Sequence, residues 1–415
     1  MALMNEQTML EADHRVVHAL TQAMADWGKW KVDRSLINQH PIDEAVWMPL
    51  AEAIDKWPPF ERINGKAVFS GGGGFVLHAS SLVMPLLYRT SWPPNQKDAA
   101  DDAVRWLSRV LTTQVADGRL VAAVWGMAVS KRIKVGEGVH IVPWSEIPDT
   151  RVAHRIRERS ETPGLNAAWI STRWFGAPGA AIVISVKDVP FAGRFGEALT
   201  YLAATEEELS DHLSLLQAGI AAQPLVAASW FEYLDQDIDI NISETMLNWK
   251  HSEFPPQIKQ NSELDASIIK KSFNRFYKLS KEYRIELFRS MDRYSLSLCR
   301  NKLIDQVLDL AIALEIATSG SSEHTPLAWK VAVRSAQAIG GPLENRKRVR
   351  KTLHDLYSLR NTGSHGGTLK PKEHLKNLDT LFGSRQIYSE LLDGLIALGA
   401  KPDWNALELE PRTRK

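Results

Sequence analysis

Along the first 60 residues the apolar positions fall three and four apart: Val16, Val17, Leu20 and Met24, then Trp47, Leu50, Ala51 and Ile54. That spacing predicts helices with one buried face, closed by Trp27 and Trp30. From Ala67 the pattern shortens into β-like runs at Ala67 to Phe69, Gly74 to His78, Val121 to Val129, Val139 to Val142, Ala167 to Ser171 and Ala180 to Val186. Gly and Pro punctuate them, as turns between strands require. One helix is expected over Gln96 to Ala116. Another starts near Thr205, where three glutamates fill the first turn and Leu209, Leu213 and Leu216 continue the face. The uncharged stretches Phe69 to Tyr88 and Leu213 to Phe231 carry Gly, Ser, Gln and Pro, and are read as buried core rather than membrane spans.

A loop-like stretch at 251–262, around Phe254-Pro255-Pro256, separates this region, residues 1–250, from a tail that reads as entirely helical. Helices are expected at Leu264 to Phe276, at Ile285 to Leu298, and through the broad apolar stripe from Leu303 to Ile316. A Ser/Gly turn at Ser319 to Ser322 follows. Then come Leu327 to Ile339, a Gly-Gly-Pro break, Arg346 to Leu359, and Leu375 to Leu398. Short connections favour an antiparallel bundle over 263–400, with 401–415 as a tail. The expected fold class is therefore an α+β N-terminal region followed by an all-α helical bundle.

Charge sharpens this division. The chain of 415 residues has a formal net charge of +1, yet residues 1 to 257 carry 23 Lys+Arg against 31 Asp+Glu, and residues 258 to 415 carry 27 against 18. A basic C-terminal part suits a polyanionic partner. The one cysteine, Cys299, excludes an internal disulfide and any cysteine-based zinc cluster, and fits a reducing compartment. Met1 to Arg15 carries acids where a secretion signal would carry bases, so a cytoplasmic protein without a membrane partner is expected.

The segment richest in chemistry is Leu353 to Gly367, a helix running into a polar, glycine-rich turn that contains Arg360-Asn361-Thr362-Gly363-Ser364-His365. Residues five apart on an unbroken helix point about 140° apart. A break is needed to aim Arg360 and His365 at one target, and Gly363 is the expected place for it. Histidine exchanges protons near neutral pH, and arginine clamps phosphate oxygens in pairs. Together they suit RNA cleavage in which the ribose 2′-OH attacks the adjacent phosphorus and the 5′-oxygen leaves, with no metal or other cofactor required. Asn361 and Ser364 can orient the histidine or hold a phosphate oxygen. One histidine serves one proton transfer, so a dimer is the simplest source of the second group.

These residues resemble the motif of the HEPN family, its Apea-like branch in particular: an arginine, a polar residue, a few variable residues and a histidine. Leu303 to Glu315 resembles the family's central helix, Val331 to Ala336 its next helix, and Tyr357-Ser358-Leu359-Arg360 with His365-Gly366 its tyrosine-to-arginine and histidine-glycine pattern. Asn361 stands where the branch often has serine. The likeness covers about residues 260–400. It implies a metal-independent endoribonuclease whose dimer lines one cleft with two Arg/His pairs and leaves 2′,3′-cyclic phosphates. It further implies an antiviral or toxin-type effector, with the N-terminal region sensing a viral trigger or regulatory partner. The alternative is a HEPN protein that binds nucleotides or partners, or dimerises, without catalysis.

Further residues are read beside this centre. Arg346, Lys347 and Arg350, within the basic run Arg346 to Lys351, form either a solvated helix face or an RNA-phosphate track that Lys370 and Lys372 extend. Glu315 is expected to face inward, where a structural ion pair with Arg334 is preferred to a role as catalytic carboxylate. Gly71 to Gly74 lacks the Lys-Ser/Thr of a phosphate loop and reads as a hairpin or a linker. The histidines of the N-terminal half show no metal-ligand spacing.

Overall fold

The computed structural model describes residues 6–27, 44–70, 73–90, 98–161, 177–193, 202–219, 224–238, 240, 261–319, 327–364 and 373–409. A mixed α/β N-terminal region with an antiparallel sheet precedes an all-helical C-terminal region. The chain divides into two compact units built from interleaved segments. Residues 1–121, 185–205 and 230–250 form the first, and 122–184, 206–229 and 251–415 the second. The second unit thus takes in two segments of the acidic half, where the sequence suggested one cut near 250.

In the first unit, α1 (Glu6–Trp27), α2 (Glu44–Asp55), α4 (Ala79–Thr90) and α5 (Ala99–Thr112) pack together, with the short α3 (Pro58–Glu61) against α5. Leu20, Leu50, Ile54, Trp57, Phe60, Leu86 and Leu107 are its fully buried core. The Trp57 indole donates to Asp13 at 2.6 Å, so burying this large ring leaves no unpaired N–H. Strands β1 (Ala67–Ser70) and β2 (Gly73–Val76) form the expected hairpin, and α4 follows where the sequence showed only uncharged core. The expected helix over 96–116 ends at Thr112, and β3 (Val115–Trp125) begins three residues later.

The larger sheet adds β5 (Ile133–Gly136), β6 (Val139–Pro143), β7 (Ala180–Pro190) and β9 (Leu225–Tyr233), in the order β5-β6-β7-β3-β9. Two-residue strands complete the set: β4 (Met127–Ala128), β8 (Ala192–Gly193) and β10 (Ser262–Glu263). Between β6 and β7 lies α6 (Arg151–Glu161). The strand expected at Ala167 to Ser171 and most of the linker at 251–262 lie outside the described residues.

The bundle consists of α8 (Ala266–Phe276), α9 (Lys281–Cys299), α10 (Leu303–Thr318), α11 (Leu327–Ile339), α12 (Leu343–Ser364), α13 (His374–Leu398) and α14 (Trp404–Leu409). Caps fix several ends. Asp265 accepts from the Ser267 N–H at 2.7 Å, Ser280 accepts from the Tyr283 N–H, and Gly340, Gly341 and Gly399 take the left-handed φ that stops a helix. At the centre, buried Tyr388 stacks on Tyr294 with ring centroids 4.5 Å apart. Its hydroxyl bonds Ser290, whose own hydroxyl donates to the Ala313 carbonyl at 2.7 Å, so α9, α10 and α13 are joined by a satisfied polar chain. No described helix is long and apolar enough to cross a membrane.

Helix α7 (Ala203–Gly219) comes from the acidic half but, from residue 206 on, belongs to the bundle's unit. Ser214 donates to Asp292 at 3.1 Å, Ser295 donates to Gln217, and the His212 ring lies against Phe273 and Tyr277. Burial, with Asp292, Glu207 and Glu208 nearby, pushes the Asp211 carboxyl up to about 7. The folded chain therefore binds this proton where the unfolded chain, with an ordinary carboxyl near 4, has lost it. Stability contributed here falls as pH rises between about 4 and 7. Asp211→Asn should be more stable than wild type by about 1–2 kcal/mol near pH 8, after discounting for partial exposure. The two should converge near pH 4. Thermal melts at both pH values check this, and an equal gap at the two would contradict it.

Candidate active site

Arg360 lies one turn before the end of α12, half-buried, and reaches toward α10. Its Nη2 stands 3.5 Å from Oε1 of Glu315, with the two side chains 32% and 18% exposed. Buried Tyr357, one turn earlier on α12, donates its hydroxyl to the same Glu315 oxygen at 3.1 Å. The Arg360 guanidinium carbon is 5.8 Å from the Tyr357 ring centre, within cation–π range. One carboxylate and one ring thus fix the guanidinium's direction. Burial pushes the Glu315 carboxyl up from its ordinary value, opposed by the Arg360 charge and the Tyr357 hydrogen bond. Burial, then the neighbouring Glu315, pushes the Tyr357 phenol well up, so it stays a neutral donor.

The helix geometry differs from expectation at Gly363. Helix α12 runs through to Ser364, and Gly363 is not among the glycines with positive φ. A Cβ at this position would lie 1.8 Å from Cδ1 of Ile304. With no side chain at 363, Ile304 fills this space and the last turn of α12 rests on the first turn of α10. The break that the Arg360/His365 spacing demands is not at 363, and the chain from His365 on lies outside the described residues until 373.

Asn361 is exposed on α12 beside Arg360, and Ser364 closes the helix; His365 and Lys370 lie outside the described residues, as does Lys372. The basic run begins 14 residues before Arg360, about 21 Å back along the helix axis. Its members have local partners. Arg346 is half-buried and donates to Gln337, Lys347 pairs with Glu344 at 2.8 Å, and Arg348 bonds Asn345 and Glu390. Arg350 and Lys351 are exposed.

The structure re-pairs two charges. Glu315 meets Arg360 and Tyr357, whereas Arg334 donates to Glu408 at 2.6 Å and to the Thr318 carbonyl, with its guanidinium over Trp404. Glu315 is the functional candidate that sequence placed on the right helix face but with the wrong partner. No local pattern in the sequence distinguishes Arg360 from Arg334 as its partner. Among the described residues no cluster of three or more His, Cys, Asp and Glu is arranged to hold a metal.

No family model, no curated protein and no solved structure matches this chain.

Proposed function

We propose that the chain is an endoribonuclease of HEPN type, with Arg360 and His365 as its reacting pair. The observation that carries this reading is the Arg360 guanidinium, steered by Glu315 and Tyr357 near the end of α12, five residues before the histidine of the motif, His365. A guanidinium held this way is preorganised to bind the two non-bridging oxygens of a phosphodiester as charge builds on them. His365 moves a proton from the 2′-OH or to the departing 5′-oxygen. The 2′-oxygen forms a bond to phosphorus as the bond to the 5′-oxygen breaks, leaving a 2′,3′-cyclic phosphate and a 5′-OH. Asn361, exposed beside Arg360, is within the same turn to steady the phosphate or the imidazole.

A homodimer supplies the second proton-transfer group. The half-exposed apolar positions Ile304, Leu308, Ile312 and Ile316, one helix face of α10 next to Glu315, support pairing of the bundle with a second copy. The N-terminal α+β region is the regulatory part in this reading, and a cytoplasmic antiviral or toxin-type effector is the corresponding setting.

The test is incubation of purified full-length protein with total cellular RNA in EDTA. Discrete RNA fragments are the expected result, because the Arg/His chemistry needs no metal. RNA binding with intact RNA throughout would instead favour the non-catalytic binding protein.

A further inference from the structure

We infer that the RNA backbone flanking the cleaved phosphate is held by a basic stripe on α9 and at its junction with α10, formed by Arg289, Arg293, Arg300 and Lys302. The inference rests on the nuclease reading and assigns the surface by which that site takes its substrate.

The stripe follows from helix geometry. Arg293 and Arg300 lie four and eleven residues after Arg289, which at 100° per residue places them within about 40° of one line along the helix. All three arginines and Lys302 are exposed, and Leu296 shares the line at 39% exposure. Arg293 and Arg300 converge on one carboxylate, buried Asp309 of α10, at 3.3 and 2.7 Å, while their side chains stay 45% and 46% exposed. A single buried anion thus orients two guanidiniums and neutralises only one of them. Arg300 spends its Nε on Asp309 and Arg293 one terminal nitrogen, which leaves most of their N–H donors facing water in a fixed fork. From α13, Arg385 donates to the Ser297 carbonyl and to Gln306, bracing the same corner.

Location joins the stripe to the reacting pair. Gly363, three residues after Arg360, packs on Ile304, two residues after Lys302. The α9–α10 corner and the Arg360 end of α12 therefore share one end of the bundle. The run from Arg346 to Lys351 starts about 21 Å away along α12 and spends three of its cations on local partners.

The experiment measures binding of a labelled, unstructured oligoribonucleotide to the full chain carrying His365→Ala, across a salt series. Arg289→Gln/Lys302→Gln removes two exposed cations that lie outside the Asp309 pairs and leaves the core untouched. It should weaken binding about tenfold and reduce the log–log salt slope by about 1.4, since each lost phosphate contact on a single strand is worth about 0.7. Arg350→Gln/Lys351→Gln should leave both values near those of the parent. Parent-like affinity and slope in Arg289→Gln/Lys302→Gln, or a loss carried instead by Arg350→Gln/Lys351→Gln, overturns the inference, as does a parent that binds no RNA. RNA cleavage by wild type separates the two claims: cleavage with stripe-independent binding overturns the stripe alone, whereas stripe-dependent binding without cleavage supports the stripe as an RNA surface and overturns the nuclease.

Discussion

Replacing Arg360 with alanine should lower RNA cleavage by about 10² to 10³-fold, the usual consequence of removing one preorganised donor to a developing oxyanion. The loss should fall on kcat more than on KM, because the guanidinium's bidentate hold strengthens as charge builds on the phosphate. Arg360→Lys should recover little of it. Lysine keeps the charge but loses the planar fork, and its shorter reach past Tyr357 leaves Glu315 at a poorer angle. The fold should tolerate both changes, because Tyr357 continues to donate to Glu315. Single-turnover cleavage rates alongside thermal melts check the prediction. Near-wild-type rates in folded Arg360→Ala would remove Arg360 from the chemistry.

The largest expected effect on stability is at Gly394. Here α13 crosses α11 so closely that a Cβ would lie 2.7 Å from the Ala338 carbonyl oxygen and 3.2 Å from its carbon. Both obstacles are backbone, so no side-chain rotation relieves them, and the helices must separate. Gly394→Ala should cost about 2–3 kcal/mol, the upper part of the range for overpacking, despite alanine's better helix propensity. That corresponds to a fall in Tm of about 4–12 °C for a unit of this size. Gly363→Ala provides the contrast. Its Cβ would meet the end of the half-exposed Ile304 side chain, which can turn away, so its cost in stability should stay below about 1 kcal/mol. Equal losses at the two positions would contradict this account of the crossing.

Local patterns in the chain reveal much of this architecture. The helices from α8 to α13 follow from three-to-four spacing that one apolar face imposes, and the Gly340-Gly341-Pro342 break matches two glycines with positive φ. Helix α4 is not legible in the same way. Its segment has no charge before Arg89 and includes Pro85, so nothing marks a polar face, although Leu82, Val83, Leu86 and Leu87 are buried in a helix. Strand β9 and helix α6 are illegible for related reasons: one lies in a continuous apolar run and the other in a densely charged segment. The partner of Glu315 depends on a contact between residues more than 40 positions apart, and two arginines, Arg334 and Arg360, were available by charge alone. Tertiary packing decides for Arg360. The basic run at 346–351 shows the opposite difficulty, since sequence displays its charge but not the neighbours Gln337, Glu344 and Glu390 that engage it.

Helix α12 continues unbroken through Gly363. Glycine at 363 serves contact with Ile304 rather than a turn, so α12 delivers Arg360 on a continuous helix packed against α10. A cation set on a packed helix suits a site that holds the phosphate in one fixed geometry.

The most direct measurement of the central claim is the chemistry of the RNA ends made by wild-type protein, compared with His365→Ala, in EDTA. The account predicts 2′,3′-cyclic phosphates and 5′-hydroxyls from wild type and intact RNA from His365→Ala. Fragments bearing 3′-hydroxyls and 5′-phosphates, or equal cleavage by His365→Ala, would contradict it.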